Sequence, residues 1–399
     1  MTTLTKELSE ILPEFEEVGG GQTGKHIEQL LGGALENPIN HPLLAESIFP
    51  GDRIAIVVQN GLPAAREMLE SLLRLLERFR IETEDILVVV PEIMKRTFDL
   101  IELTPADAKS GAPAIWRMKS DDRPNAIRFE VHVSDLQTAV SYLAANEQGN
   151  PVYVNRSLCD SDVLLPLSAL SPSADRPDCL YPEFSVDETR ARFRDKKDSL
   201  AQRVAETELA NDSLGLFFSI EIICRPGEII EDIVCGSRVH ARQVASDRLA
   251  PLWQLDGDSD YDVVVTTIES AGEKATWNHL VSAVRTAANR VADGPIVVLS
   301  SLKDKPSAKV KAACSAQFDG SVPESLPEHL QHFASILCER PVYLRSSLPQ
   351  NLVEGLGLGH IESTESARRI LKPFDQPLLI RDGHLRNNDA NESNVEVND

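Results

Sequence analysis

Long apolar runs are missing from this 399-residue chain. No window of about eighteen consecutive apolar residues occurs, and a helical membrane span needs one. Basic residues are also in short supply: Lys+Arg number 40 against 62 Asp+Glu, for a formal net charge of -22. Phosphate backbones are held by Lys and Arg, so this balance argues against a nucleic-acid partner. It argues equally against adsorption to an anionic membrane. The six cysteines are scattered and none forms a CxxC pair, which reads as reduced, small core residues. The opening residues, MTTLTKELSEILPEFEEV, lack the basic start and apolar stretch of a secretory signal. The expected compartment is therefore a reducing cytoplasm. No HExxH occurs and no Gly-x-Ser-x-Gly elbow, so neither a zincin nor a serine hydrolase is supported. No GxGxxG follows a strand, because Gly355, Gly357 and Gly359 sit at a plausible helix end instead.

What is present is ordinary globular material, 42% hydrophobic and 26% charged, and long enough for two domains. An α/β rhythm begins with RIAIVV (Arg53–Val58), a buried-strand pattern. A helix opened by Pro63 follows, with Leu69, Leu72, Leu73, Leu76 and Phe79 on one face. ILVVV (Ile86–Val90) completes a βαβ unit and so predicts a parallel sheet. Further strands are expected at Ile127–Val133 and Val163–Leu167. From Ser168 to Arg194 the pattern breaks among Pro172, Pro177 and Pro182 and reads as a long loop. Leu214–Cys224 and Ile229–Cys235 flank Pro226 and Gly227 as a hairpin. A second rhythm starts near Tyr261, with strands at Asp262–Thr267, Pro295–Ser300, Val342–Arg345 and Gln376–Arg381. Helices are expected at Thr276–Val291 and Leu326–Arg340. The segment Leu249–Asp260 separates the two rhythms.

Three local patterns carry candidate chemistry. GGGQTGK (Gly19–Lys25) satisfies the GxxxxGK spacing of a phosphate loop, with Gly21, Gly24 and Lys25 as the phosphate-binding candidates. The next residue is His26 where a magnesium-holding hydroxyl belongs, and Glu14, Glu16 and Glu17 precede it where a buried strand belongs. A plain loop and an anion site at a helix start both stay open. Lys95 and Arg96 follow the second strand near its carboxyl end, where open α/β sheets take ligands. A basic pair there suits an acid substrate. His329 and His332 stand three apart on a helix, but without a third ligand they read as a solvated face, and no metal site is assigned. The acidic runs Glu16–Glu17 and Asp121–Asp122 read as solvated surface.

Several segments in a shared order resemble the nickel-pincer lactate racemase-like family. They are ALENPI (Ala34–Ile39), PGDRIAIVV (Pro50–Val58), YLAANEQGNPVYVN (Tyr142–Asn155) followed by Arg156, and Leu216–Gly236 leading to a helix near His240. YDVVV (Tyr261–Val265) and Leu352–Leu358 extend the likeness to about Asp382. His132 lies at the spacing of a family histidine. The resemblance implies an α/β fold of two domains with mixed sheets and an interdomain cleft. It also implies a nickel pincer nucleotide tethered through a lysine, and racemisation of 2-hydroxy acids by hydride removal and return with two histidines as acid and base.

The chain departs from the family pattern at that machinery, as a divergent member lacking the catalytic histidines and the cofactor-tethering lysine. QNGLP (Gln59–Pro63) stands where the family shows Asp-x-Thr-Arg. VPEIMKR (Val90–Arg96) stands where it shows Gly-Thr-His-Arg. SPSADR (Ser171–Arg176) stands in place of Pro-His and Ser-Gly-Gly-x-Lys, and no histidine occurs between His132 and His240 to serve as the nickel ligand. IESAG (Ile268–Gly272) replaces Gly-Gly-Tyr-Pro-Lys, with Lys274 two places off. The substrate-binding candidates are accordingly Gln59, Asn60, Lys95, Arg96, His132, Ser173 and Lys274. No catalytic residue, cofactor or oligomeric state is assigned.

The expected organisation is an N-terminal extension (1–33), an N-terminal α/β domain (34–250), a C-terminal α/β domain (251–385) and an acidic tail (386–399). The expected role is binding of a small organic acid without nickel-pincer chemistry. An active racemase or isomerase of 2-hydroxy acids with rearranged residues, and a phosphate or nucleotide binder, are the alternatives.

Overall fold

The computed structural model describes residues 10–11, 24–103, 114–121, 126–134, 137–172, 180–195, 197–255, 261–269 and 274–386. Contacts divide the chain into two compact units. One comprises Gln22–Cys224 and Ile229–Leu249; the other comprises Met1–Gly21, Arg225–Glu228 and Ala250–Asp399. Among the described residues no helix is long and apolar enough to cross a membrane.

The first unit is built on an eight-stranded mixed sheet in the order β10-β9-β8-β1-β2-β5-β4-β3. Its strands are β1 (Ile54–Val58), β2 (Ile86–Pro91), β3 (Leu100–Leu103), β4 (Ile115–Met118), β5 (Arg128–His132), β8 (Val163–Ala169), β9 (Phe218–Arg225) and β10 (Ile229–Ser237). The central pairs β8–β1, β1–β2 and β2–β5 are parallel, whereas β5–β4 and β4–β3 are antiparallel. Every side chain of β1 is buried, as its unbroken apolar run requires of a central parallel strand. Because side chains alternate, Ile54, Ile56 and Val58 serve one core while Ala55 and Val57 serve another on the opposite face.

The first face is covered by α1 (Gly24–Glu36) and α3 (Ala65–Arg78); the four-residue α2 (Leu44–Ser47) lies between them in sequence. In α3, Met68, Leu69, Leu72, Leu75 and Leu76 are buried, each contributing about 1.5–3 kcal/mol of apolar burial. α1 buries Ile27, Leu31 and Leu35 in the same core, so residues 24–33 are part of this unit rather than an extension ahead of it.

The opposite face holds the β6–β7 hairpin (Val140–Ala145, Pro151–Asn155) and α4 (Arg156–Cys159). It also holds α5 (Asp187–Arg194), which corrects the expectation of a single long loop from Ser168 to Arg194, and then α6 (Leu200–Ser213). Leu180, Tyr181 and Phe184 are fully buried there among Val57, Val154 and Leu164. These aromatics sit in a proline-broken stretch with no helical or strand period, so burial, not local pattern, orders them. A further correction falls on Asp121, read as solvated surface, which is 8% exposed. Its partner Asp122 and the pair Glu16–Glu17 lie outside the described residues.

The second unit carries a five-stranded, wholly parallel sheet in the order β14-β13-β12-β11-β15. Its strands are β11 (Val263–Ile268), β12 (Ile296–Ser300), β13 (Val342–Arg345), β14 (Gly359–His360) and β15 (Pro377–Ile380). The first unit's chain reaches it through α7 (Arg238–Leu252). Then α8 (Trp277–Ala288), α9 (Ala308–Asp319), α10 (Glu328–Glu339), α11 (Gln350–Gly355) and α12 (Thr364–Leu371) follow in order. Val264 and Ile268 face the core shared with α8, α9 and α10, while Val263 and Val265 face Ile361, Ala367 and Leu371. The acidic tail lies outside the described residues beyond Arg386.

Candidate functional site

The carboxyl ends of β1, β2 and β5 open onto a pocket of about 410 Å³ within the first unit, lined by Asn60, Pro91, Glu92, Ile93, His132, Ser134, Glu183 and Arg190. The strands are held in register, with Pro91 opposite His132, so residues that follow each strand end side by side. This is where parallel α/β sheets expose the loops that meet ligands.

His132 forms the wall of the pocket and is itself 3% exposed. Its Nε2 lies 2.9 Å from the carbonyl oxygen of Ser185, which can only accept, so Nε2 carries the proton and donates. Nδ1 then accepts from Asn155 Nδ2 at 3.4 Å. Burial lowers the imidazole pKa and keeps it neutral. The Phe184 ring packs on it with centroids 5.6 Å apart.

Asn155 in turn donates to Glu130 Oε1 at 2.6 Å, and Ser157 Oγ donates to Glu130 Oε2 at 2.5 Å. Desolvation raises the Glu130 pKa despite these two donors. Through its Oδ1, Asn155 also accepts the Leu158 amide and caps α4. Below the pocket, therefore, lies a closed polar network in which each ring nitrogen of His132 already has a partner.

Among the described residues that line the pocket, Arg190 is the cation. The α5 helix that carries it starts at Asp187, and Arg190 Nη1 reaches Ser134 Oγ at 3.3 Å and Asp187 Oδ1 at 3.5 Å. Its Nη2 lies 3.7 Å from Glu183 Oε1. Ser134 Oγ donates to Asp187 Oδ1 at 2.5 Å, which fixes the loop after β5 against the start of α5. At the rim, Glu92 is met by Lys95 Nζ at 3.3 Å.

The structure brings two of the expected residues, Asn60 and His132, into the pocket. Gln59 is buried beside it in another role: its Oε1 accepts the Ala169 amide at 2.7 Å and ties the end of β1 to that of β8. Lys95 and Arg96 do not line the pocket. Lys95 is drawn over the Trp116 ring, 4.7 Å from its centroid, and Arg96 is exposed. Ser173 lies outside the described residues. Lys274 is exposed and belongs to the second unit. Of the phosphate candidates, Gly21 lies outside the described residues, Gly24 opens α1, and Lys25 is exposed in its first turn.

The sequence reading missed Ser134, Glu183 and Arg190. Arg190 follows His132 by 58 positions inside a stretch without periodicity, so nothing local marks it.

A nickel pincer nucleotide does not fit these residues. A metal needs a free lone pair, and both ring nitrogens of the pocket's histidine are engaged. Among the described residues, no lysine lines the pocket for a covalent tether. Among the described residues, no group of three or more His, Cys, Asp or Glu converges to hold a metal ion. What the arrangement can do is bind: a guanidinium, a serine hydroxyl and an asparagine face a space the size of a small-molecule site.

Residues 13–171 match the lactate racemase N-terminal domain family. No curated protein matches the chain at the sequence level. Among solved structures, the lactate racemase apoprotein from Thermoanaerobacterium thermosaccharolyticum is similar with a TM-score of 0.57 at 14% identity, over 90% of this chain and 92% of that one. A protein from Thermotoga maritima is similar with a TM-score of 0.52 at 14% identity, over 92% of this chain and 99% of that one. The N-terminal portion of the chain, residues 13–171, thus matches the lactate racemase N-terminal domain family, and 90% of the chain shares the fold of the racemase apoprotein.

Proposed function

We propose that this protein binds a small organic acid of the 2-hydroxy acid class in the pocket at the ends of β1, β2 and β5, and does so without nickel-pincer racemisation. The observation that carries the reading is the position of Arg190, whose guanidinium stands beside Ser134 in a pocket also lined by Asn60. A guanidinium pairs with a carboxylate through two parallel N–H bonds. Ser134 and Asn60 are suited to a ligand hydroxyl. The doubt about racemisation rests on His132. A neutral imidazole that already donates to a carbonyl and accepts from an amide has neither proton nor lone pair to exchange with substrate.

Calorimetric titration with a panel of 2-hydroxy acids tests the binding. Saturable binding by the parent and at least a tenfold loss in Arg190→Ala are expected, because a charged hydrogen bond contributes roughly 1.5–3 kcal/mol. Equal binding by the variant, or none by the parent, overturns the reading. Production beside the enzymes that make the nickel cofactor tests the chemistry. Stoichiometric nickel together with a nucleotide-sized mass adduct on a lysine overturns the absence of racemisation and restores the active-enzyme alternative.

A further inference from the structure

The pocket is roomier than the smallest 2-hydroxy acid requires. Lactate has six non-hydrogen atoms. At no more than about 30 Å³ each, the share of a water molecule in the liquid, they fill less than half of the pocket's volume of about 410 Å³. The lining also offers an apolar surface that so short an acid leaves bare. Pro91, at the end of β2, and Ile93, two places on, line the pocket together with Asn60, Ser134 and Arg190. Ile93 is 61% exposed. A lone exposed isoleucine is ordinary on a protein surface, but this one lines a cavity and is fixed there from both flanks. It sits in the single turn Glu92–Lys95, whose Met94 is buried in the core of the first unit. The Phe98 amide donates to the Met94 carbonyl at 3.1 Å and closes that turn. On the other flank Lys95 Nζ is held by Glu92 and by the Trp116 face. With the turn anchored and a β-branched side chain of few rotamers, Ile93 stays out of the core and on the pocket wall.

We infer that the pocket prefers 2-hydroxy acids that carry an apolar substituent of several carbons, and that Ile93 sets this preference. This deepens the proposed function and rests on it. The carboxylate pairs with Arg190, and the substituent extends over Pro91 and Ile93. Each methylene taken out of water there contributes to binding in proportion to the apolar area covered. The single methyl of lactate reaches too little of that surface to gain from it. A chain of several carbons covers Ile93 and fills the remaining space.

The test is calorimetry of the full chain with a straight-chain series: lactate, 2-hydroxybutanoate, 2-hydroxypentanoate and 2-hydroxyhexanoate. Affinity is expected to rise about two- to fourfold per added carbon, with a heat-capacity change that grows more negative along the series. In Ile93→Ser the gain per carbon is expected to flatten, and in Ile93→Leu to persist. Ile93 is exposed, so neither substitution removes core packing. Equal or weaker binding of the longer acids by the parent, with lactate still bound, overturns the apolar preference and leaves the acid site standing. A gain per carbon that survives undiminished in Ile93→Ser overturns the part given to Ile93. No binding of any member removes the acid site together with the inference.

Discussion

Asn155 Nδ2 stands 2.6 Å from Glu130 Oε1, and both side chains are almost sealed from solvent. This contact joins the end of β7 to β5. Through the same amide group Asn155 reaches His132, so one side chain sets the floor of the pocket.

Asn155→Ala removes the cap of α4 and a donor to each of Glu130 and His132. The cap is worth about 1 kcal/mol, and a buried acceptor left unsatisfied costs roughly 1–3 kcal/mol. The variant is therefore expected to lose about 2–4 kcal/mol of unfolding free energy in urea. A loss well under about 1 kcal/mol would show that the network is incidental to stability.

Two buried groups in the second unit should give stability opposite pH slopes. Asp382 is raised to about 7 by burial and by the nearby Glu269 charge, against the donations it receives from the Gly227 and Glu269 amides. Between its unfolded pKa and about 7, the folded state keeps a proton that the unfolded chain has released. Asp382 therefore favours folding at acid pH, and that contribution is lost as pH rises toward 7. His384 is pressed down to about 3 by burial and by His279, with ring centroids 4.8 Å apart. It favours folding at neutral pH, and its contribution is lost as pH falls below the unfolded histidine range. Thermal melts across about pH 4 to 8 are expected to fall less steeply on the alkaline side in Asp382→Asn and less steeply on the acid side in His384→Gln. Parallel profiles for parent and variants would refute both assignments.

Thiol reagents should separate the cysteines by environment. Cys338 is exposed, while Cys224, Cys235 and Cys314 are buried. Burial pushes Cys314 up to about 12 and raises Cys235 further still, so their thiolate fractions are negligible at neutral pH. Mass spectrometry after brief labelling of the native protein should find Cys338 modified well before these three. Early labelling of Cys235 would contradict its burial.

Gly236 is a position where only glycine fits. Its φ is +147°, and a Cβ placed there would lie 2.2 Å from the Ile39 carbonyl oxygen, the residue with which it forms a parallel bridge. Gly236→Ala is expected to cost roughly 1–3 kcal/mol from the backbone conformation alone, with the clash added to it. An unchanged melting temperature would refute the close approach.

The apolar run of β1 and the leucine spacing of α3 were legible because each is a local signal. Burial on both faces demands an unbroken run, and burial on one helix face demands a period. The Ser168–Arg194 stretch was not legible. Tyr181 and Phe184 are buried by packing against residues far away in sequence, and their neighbours carry no period. Asn60 was found through the resemblance, which sets Gln59–Pro63 where the family grips its substrate; the strand-end argument pointed to the right loop after β2 but to the wrong residues, since Pro91, Glu92 and Ile93 line the pocket. Lys95 was misplaced for a reason of competition: Glu92 and the Trp116 face hold the ammonium away from the pocket.

By itself, then, the sequence determined the alternation of strands and helices, the two α/β rhythms, and the resemblance that the N-terminal domain match bears out. Those are properties of short segments and their order. Only the tertiary structure decided which charges meet. Arg190, Glu183 and Ser134 become neighbours because β5 and α5 are brought together across more than fifty residues, and His132 loses its freedom because Ser185 and Asn155 arrive at its two nitrogens. Electrostatics at a site depends on distance in space, which a linear pattern does not record.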